Sequence, residues 1–119
     1  MPSMIKRVGR AKLVLEWKNI GGDNVVVLRG GDEHIGATGF AYYDRSSDRV
    51  FTDVIKSPGH RETEIAYDGA KHISYVTKTT TVFIAGIHLD NITKSEIRDI
   101  VDISYQMIDD LAAILEERA

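Results

Sequence analysis

The sequence predicts an α/β (α+β) sandwich with two helices packed on one face of a five-stranded, mainly antiparallel sheet. Three observations lead to this class. The first half of the 119-residue chain consists of short apolar segments separated by glycine-rich or polar turns. Two segments in the second half have apolar residues at helical spacing, and a further apolar run lies between them at residues 82–85. The predicted order is therefore β-β-β-β-α-β-α, within a single domain spanning residues 1–119.

The first four predicted strands follow a loose N-terminal arm at residues 1–9. Residues 10–18 alternate, with Ala11, Leu13, Leu15 and Trp17 on one face, which is typical of a half-buried strand. Residues 24–29, 38–43 and 49–55 are predicted as the next three strands. Because the turns between them are short, we expect the four strands to form an antiparallel meander.

The second half predicts a helix, a fifth strand at residues 80–88, and a longer helix at residues 94–117. The first helix begins between Pro58 and Thr63 and runs to about Lys78. Its apolar stripe consists of Ile65, Ala66, Gly69, Ala70, Ile73 and Val76. The stripe of the second helix consists of Ile97, Ile100, Val101, Ser104, Met107, Ile108, Leu111 and Leu115.

The start of the second helix has a specific local signature. Thr93 and Glu96 are spaced as a capping box, in which each side chain accepts a hydrogen bond from the backbone of the other residue. Ile92 and Ile97 occupy the two positions of a hydrophobic staple. The polar segment before Thr93 is therefore predicted to form an elbow between a buried strand and a helix.

The predicted strand directions place three connections at one end of the domain. If each helix lies back along the sheet, residues 30–37, 56–62 and 88–93 all fall at that end, together with both helix N-termini. We call it the loop end. Several strands are apolar on both faces, and two helices cover only one face of a sheet, so we expect a homodimer or another protein partner on the second face.

Composition excludes several classes of protein. The chain has no cysteine, so disulfides and thiolate metal sites are absent. The net charge of −3 argues against nucleic acid as a partner. No apolar run approaches the roughly 18 residues of a spanning helix, and the first residues do not resemble a signal peptide, so no membrane association and a cytoplasmic location are expected.

The loop end gathers the residue types of a binding site, and three interpretations are open. Three of the four histidines lie there, namely His34, His60 and His88. Helix N-termini, glycines and Arg61 suit an anion such as a phosphate. The histidines, with Glu62, could instead hold a metal ion, although none of them share a local ligand spacing. Acid–base catalysis by His88 with Asp90 or Glu33 is the weakest interpretation, because no nucleophile motif accompanies them.

Three segments of the loop end resemble the prenylated flavin chaperone (LpdD-like) domain family. They are residues 30–37, residues 58–62 and residues 85–93, and the resemblance extends from about residue 11 to residue 115. Its most specific parts are the sequence His34-Ile35-Gly36 and the sequence Gly86-Ile87-His88 followed by Asn91-Ile92-Thr93. Members of the family often have Pro or Asn between the double glycine and the histidine, whereas this chain has Asp32 and Glu33, which add negative charge.

The resemblance implies a fold similar to proteasome assembly chaperones and a role that is not enzymatic. The protein would hold or deliver prenylated FMN, or FMN, or assist a UbiD-type aromatic acid decarboxylase, with that enzyme or a flavin prenyltransferase as partner. The residues it marks as cofactor-binding, with Arg61 added from its charge, are Gly30, Gly31, His34, Gly36, Gly59, His60, Arg61, Gly86, His88, Asn91 and Thr93. The alternatives are a protein-assembly chaperone without a ligand, whose histidines brace the loops, and a metal-binding protein.

Overall fold

A computed structural model describes residues 1–58 and 62–119, which form one six-stranded sheet and two helices. The strands are arranged in the order β1-β2-β3-β6-β4-β5. Neighbouring strands are antiparallel except β3 and β6, which are parallel. The elements are β1 Ser3–Val8, β2 Ala11–Ile20, β3 Asp23–Gly31, β4 Ala37–Asp44, β5 Arg49–Lys56, α1 Thr63–Thr77, β6 Thr81–His88 and α2 Lys94–Arg118. The predicted mixed class with two helices is confirmed, but the number and the order of the strands were wrong.

The expected loose arm is instead the edge strand β1. It pairs antiparallel with β2 along its whole length, from Ser3 opposite Glu16 to Val8 opposite Ala11. A two-residue turn joins the two strands, and its first residue is Gly9 at φ +60°, a position where hairpins favour glycine. Only Met4 and Val8 of β1 are half-buried. The sequence of β1 therefore shows little alternation of apolar and polar residues, and this is why the strand was not predicted.

The predicted meander was wrong because β6 lies between β3 and β4. β6 pairs in parallel with β3 and antiparallel with β4. The continuous apolar runs at residues 25–28 and 82–85 are the two central strands, which have apolar side chains on both faces. Residues 32–36 then carry the chain past the end of β6 to β4. The short turns predicted the pairs β2–β3 and β4–β5 correctly, but adjacency in sequence did not extend from β3 to β4.

Both helices pack over the same face of the sheet and enclose one core. The buried faces of the predicted stripes are confirmed, including Ile65, Ala70 and Ile73 on α1. Gly69 lies so close to the fully buried Phe83 that a Cβ there would be 2.5 Å from the ring. The buried residues of α2 are Ile100, Ser104, Met107, Ile108, Leu111 and Ala112. No helix formed by the described residues is both long and apolar enough to span a membrane.

The opposite face of the sheet, here called the outer face, carries exposed apolar side chains, and no helix of the described residues lies over it. Phe40, on β4, is 50% exposed, and Ile55, on the edge strand β5, is 81% exposed. The rings of Tyr42 and Phe51 stack across the β4–β5 pair with their centroids 5.4 Å apart. The expectation that part of the second face is apolar is therefore confirmed.

Candidate functional site

Hydrogen bonds between backbone atoms join the predicted connections at the loop end. The N–H of Asp32 donates to the carbonyl oxygen of His88 at 2.9 Å, which links the end of β3 to the end of β6. The N–H of Gly36 donates to Ala85, and that of Ser57 donates to the carbonyl oxygen of Gly36, each at 2.9 Å. The predicted convergence of the three connections is thus confirmed for the described residues.

Two glycines allow this convergence. A Cβ on Gly86 would overlap the carbonyl oxygen of His34, and a Cβ on Gly31, which has φ +63°, would overlap the carbonyl oxygen of His88. Both positions therefore require glycine for the packing of backbone on backbone. Close packing alone is enough to explain why both positions are glycine. Their role in binding a ligand stays a prediction.

The capping box of α2 forms as predicted. The Oγ1 of Thr93 accepts from the N–H of Glu96 at 3.1 Å, and Oε1 of Glu96 accepts from the N–H of Thr93 at 3.0 Å. Before it, Asn91 adopts a left-handed conformation with φ +52°, which asparagine tolerates better than most residues. The elbow between β6 and α2 is therefore a defined turn.

Arg10 ties this elbow to the β1–β2 turn. Its guanidinium donates to both carboxylate oxygens of Glu96, at 2.6 and 3.1 Å, and to the carbonyl oxygen of Asp90 at 2.7 Å. These bonds, together with the N–H of Thr93, lower the pKa of Glu96 to about 2. The sequence did not suggest this contact, because Arg10 and Glu96 are 86 residues apart and no local pattern connects them.

A buried carboxylate lies behind the loops. Glu62, at the start of α1, is 7% exposed, and its Oε1 accepts from the N–H of Ile87 at 3.1 Å. The same carboxylate is 3.8 Å from Nε2 of His34. A Cβ on Gly36 would approach it to 2.7 Å. Glu62 thus connects the start of α1 to β6 and to the 32–36 connection.

The structure brings two of the three predicted histidines together. The rings of His34 and His88 meet edge to face with their centroids 6.2 Å apart. Nδ1 of His34 is 3.2 Å from the carbonyl oxygen of Asp32, and Nε2 of His88 is 3.2 Å from Oδ1 of Asp90. His88 and Asp90 are exposed. The third histidine, His60, lies outside the described residues, as do Gly59 and Arg61.

A cavity of about 410 Å³ opens beside these histidines, between the start of α1, the end of β6 and the first turns of α2. Its wall is mainly aliphatic, and Lys94 is the one cation among its lining residues that the structure describes. The cavity was not predicted from the sequence, because the apolar residues of α2 that line it repeat at the same helical spacing as residues that pack in a core. The lining residues are Glu62, Ile65, Ile87, His88, Leu89, Ile92, Lys94, Ile97, Ile100 and Val101.

The predicted site residues divide into three groups. His34, His88, Asn91 and Thr93 lie in the converging connections or at their ends, and His88 also lines the cavity. The glycines of the loop end serve close packing, since a Cβ on Gly30 would be 2.7 Å from Leu13. The third group, residues 59–61, lies outside the described part of the chain. The arrangement offers an apolar wall with imidazole, carboxylate and ammonium groups at its edge, which suits a ligand that is part apolar and part charged.

Comparisons with known proteins agree with this architecture. The family model described as the prenylated flavin chaperone LpdD-like domain matches residues 7–116. A crystal structure described as a novel chaperone complex for yeast 20S proteasome assembly superposes with a TM-score of 0.62 at 14% identity, covering 96% of this chain and 97% of that chain. At this identity the similarity concerns the fold, and it confirms the expected likeness to proteasome assembly chaperones. No curated protein matches the sequence.

Proposed function

Because the chain belongs to the prenylated flavin chaperone LpdD-like domain family, we propose that it holds prenylated FMN, or FMN, at the loop end without catalysing a reaction. It then delivers this cofactor to a UbiD-type aromatic acid decarboxylase. The observation that carries the proposal is the aliphatic cavity that opens directly beside the charged loop end. A flavin mononucleotide has a flat, largely apolar ring system and a phosphate, so it needs both kinds of surface.

The cavity and the start of α2 suggest where each part of the ligand binds. The ring system packs against the aliphatic wall formed by Ile92, Ile97 and Val101. The phosphate lies near Lys94, the first residue of α2. At a helix start the first N–H groups have no partner within the helix, and the partial positive charge there favours an anion. His34 and His88 form the rim that joins the two parts.

A binding experiment tests this placement. Flavin fluorescence is titrated under anaerobic conditions, with FMN and with prenylated FMN, against the wild type and Ile92→Trp. Ile92 lines the cavity and is 37% exposed, so an indole there should fill the opening and weaken binding at least tenfold. Ile20→Trp is the matched control, because Ile20 is an exposed isoleucine in the β2–β3 hairpin, outside the cavity lining.

The titration also includes His88→Ala. Binding that is lost in a folded His88→Ala protein supports a role for this residue in holding the ligand. If neither flavin binds the folded wild type at high micromolar concentration, the proposed function is wrong. If His88→Ala then only lowers the melting temperature, the loop end is architectural and the protein is an assembly chaperone without a ligand.

The outer face favours a protein partner, and we propose that it forms a homodimer. Exposed Phe40, Tyr42, Phe51 and Ile55 lie on two neighbouring strands of this face, and apolar patches of this kind are uncommon on monomers. A UbiD-type decarboxylase or a flavin prenyltransferase is the alternative occupant. The same surface would serve a protein-assembly chaperone that has no ligand.

Light scattering at micromolar concentration tests the homodimer. The wild type should give the mass of two chains, and Phe40→Lys should give the mass of one, because it puts a charge into the apolar interface. Ile20→Lys is the control that changes an exposed isoleucine elsewhere. A wild-type mass equal to one chain would rule out self-association, and co-purification with the decarboxylase would then identify the alternative occupant.

A further inference from the structure

We propose that Asp32, His88 and Asp90 form a binding site for a first-row divalent metal ion at the loop end. Each residue offers one ligand atom, and these atoms all lie within 4.8 Å of one another. The group differs from the histidine cluster considered from the sequence, because two of its three members are carboxylates and only His88 is shared. Its three side chains are all exposed.

The sheet topology creates this group. The parallel β3–β6 pair places Gly31 opposite His88, and the N–H of Asp32 donates to the carbonyl oxygen of His88 at 2.9 Å. Asp90 follows in the elbow, with its Oδ1 3.2 Å from Nε2 of His88. Asp32 therefore comes from a separate connection and is distant in sequence, so no local ligand spacing could have revealed the three residues together.

The donor set defines the type of ion. An imidazole nitrogen with two carboxylate oxygens suits Mn²⁺, Fe²⁺, Co²⁺ or Zn²⁺, whereas Mg²⁺ favours oxygen ligands alone. Three protein ligands leave further coordination positions open. Because Asp32, His88 and Asp90 are exposed, those positions face water or a ligand arriving at the loop end. The two carboxylates also balance the charge of a divalent ion.

A metal ion would resolve an electrostatic conflict at the loop end. A phosphate bound near Lys94 approaches the rim formed by His88, where Asp32 and Asp90 add two negative charges. Of the arginines that the structure describes, Arg10 and Arg29 are already engaged. Arg10 pairs with Glu96, and Arg29 pairs with Glu16 and Glu33. A bound divalent ion neutralises the carboxylates and can accept a phosphate oxygen in an open position. This bridging step rests on the proposed function, whereas metal binding alone does not.

Metal binding is tested without flavin. Zn²⁺ is titrated by calorimetry into protein without an affinity tag, and Mn²⁺ is followed by the loss of the electron paramagnetic resonance signal of the free ion. One ion should bind per chain, and Asp32→Asn and Asp90→Asn should each weaken binding at least tenfold, since each replaces an anionic carboxylate with a neutral amide of the same shape. Asp109→Asn is the matched control, because Asp109 lies 3.4 Å from His72 in a pair outside this group.

Each result has a defined meaning. No binding of either ion, or equal affinity in the wild type and both group variants, would overturn the metal site. The bridging step is tested by titrating FMN with bound Zn²⁺ and with a chelator, and the chelator should weaken binding at least tenfold. FMN affinity that is unchanged by the chelator overturns the bridge but leaves the proposed function intact. Zn²⁺ binding without any flavin binding would instead leave the metal site and remove the proposed function.

Discussion

Replacement of Thr93 by alanine removes the hydroxyl that caps α2, and the structure indicates the size of the loss. The N–H of Glu96 donates to Oγ1 of Thr93 at 3.1 Å and loses this partner in Thr93→Ala. The reciprocal bond survives, because Glu96 accepts from the backbone N–H of residue 93, which alanine also has. Arg10 still holds the Glu96 carboxylate in place.

Because half of the capping box remains, we expect Thr93→Ala to lower the free energy of unfolding by about 1 kcal/mol, rather than the roughly 2 kcal/mol of the largest cap losses. For a domain of this size the loss corresponds to a fall of about 4 °C in melting temperature. Urea unfolding followed by circular dichroism measures the change, with an unaltered dependence on urea concentration showing that the same surface is exposed.

Thr93→Ser is the control, since serine keeps the hydroxyl at the N-cap and should retain nearly the wild-type stability. The reasoning would be refuted if the serine variant lost as much stability as the alanine variant, because the hydroxyl could not then be the cause. It would also be refuted if Thr93→Ala unfolded at the wild-type urea concentration. Flavin affinity measured on the same proteins separates a cap that only shapes the site from one that contacts the ligand.

Three further predictions concern the core, the pH dependence and the loop packing. Phe83→Ala should cost about 3–5 kcal/mol because the fully buried ring leaves a cavity, and a loss below about 1 kcal/mol in urea unfolding would contradict its central position. The pKa of Glu96 is lowered from 4.5 to about 2 by folding, so its contribution is complete above pH 4.5 and disappears as the pH falls to about 2. The difference in melting temperature between the wild type and Glu96→Gln should shrink over that range, and a constant difference would argue against the Arg10 contact as its cause. Gly86→Ala should destabilise the protein by about 2 kcal/mol, because the new Cβ overlaps the carbonyl oxygen of His34; a wild-type melting temperature would show that the two segments are not packed this closely.

Local patterns predicted the helices well. Both helices lie within a residue or two of the expected bounds, because their apolar stripes repeat at helical spacing and α2 carries its own start signal at Thr93 and Glu96. The alternation of β2 was equally clear, with Leu13 and Leu15 fully buried as expected. Such features depend on residues that are close in sequence.

Features that lack a clear local sequence pattern were not predicted. The edge strand β1 has only two half-buried side chains, Met4 and Val8, and forms because a tight turn places it beside β2. The position of β6 in the sheet depends on which strands it pairs with, and a continuous apolar run is compatible with several positions in the strand order. Chain directions alone predicted that the connections converge. They could not predict the cavity, because Ile97, Ile100 and Val101 have the same periodicity whether they face the core or an opening.

The insertion of β6 between β3 and β4 also dictates how late the sheet can be completed. Its first contacts with β3 join residues far apart in the chain, as in the bond from the N–H of Thr80 to Asp23, which lies 57 residues earlier. Until residues 81–88 are in place, no strand joins the three-stranded β1–β2–β3 meander to the β4–β5 hairpin, and the edges of β3 and β4 that pair with β6 are open. Pairing over such a distance is slow, because the entropy of closing a long loop is lost before the new contacts stabilise the chain. We therefore expect folding to be limited by the docking of β6, and destabilising changes in this strand to slow folding more than they hasten unfolding.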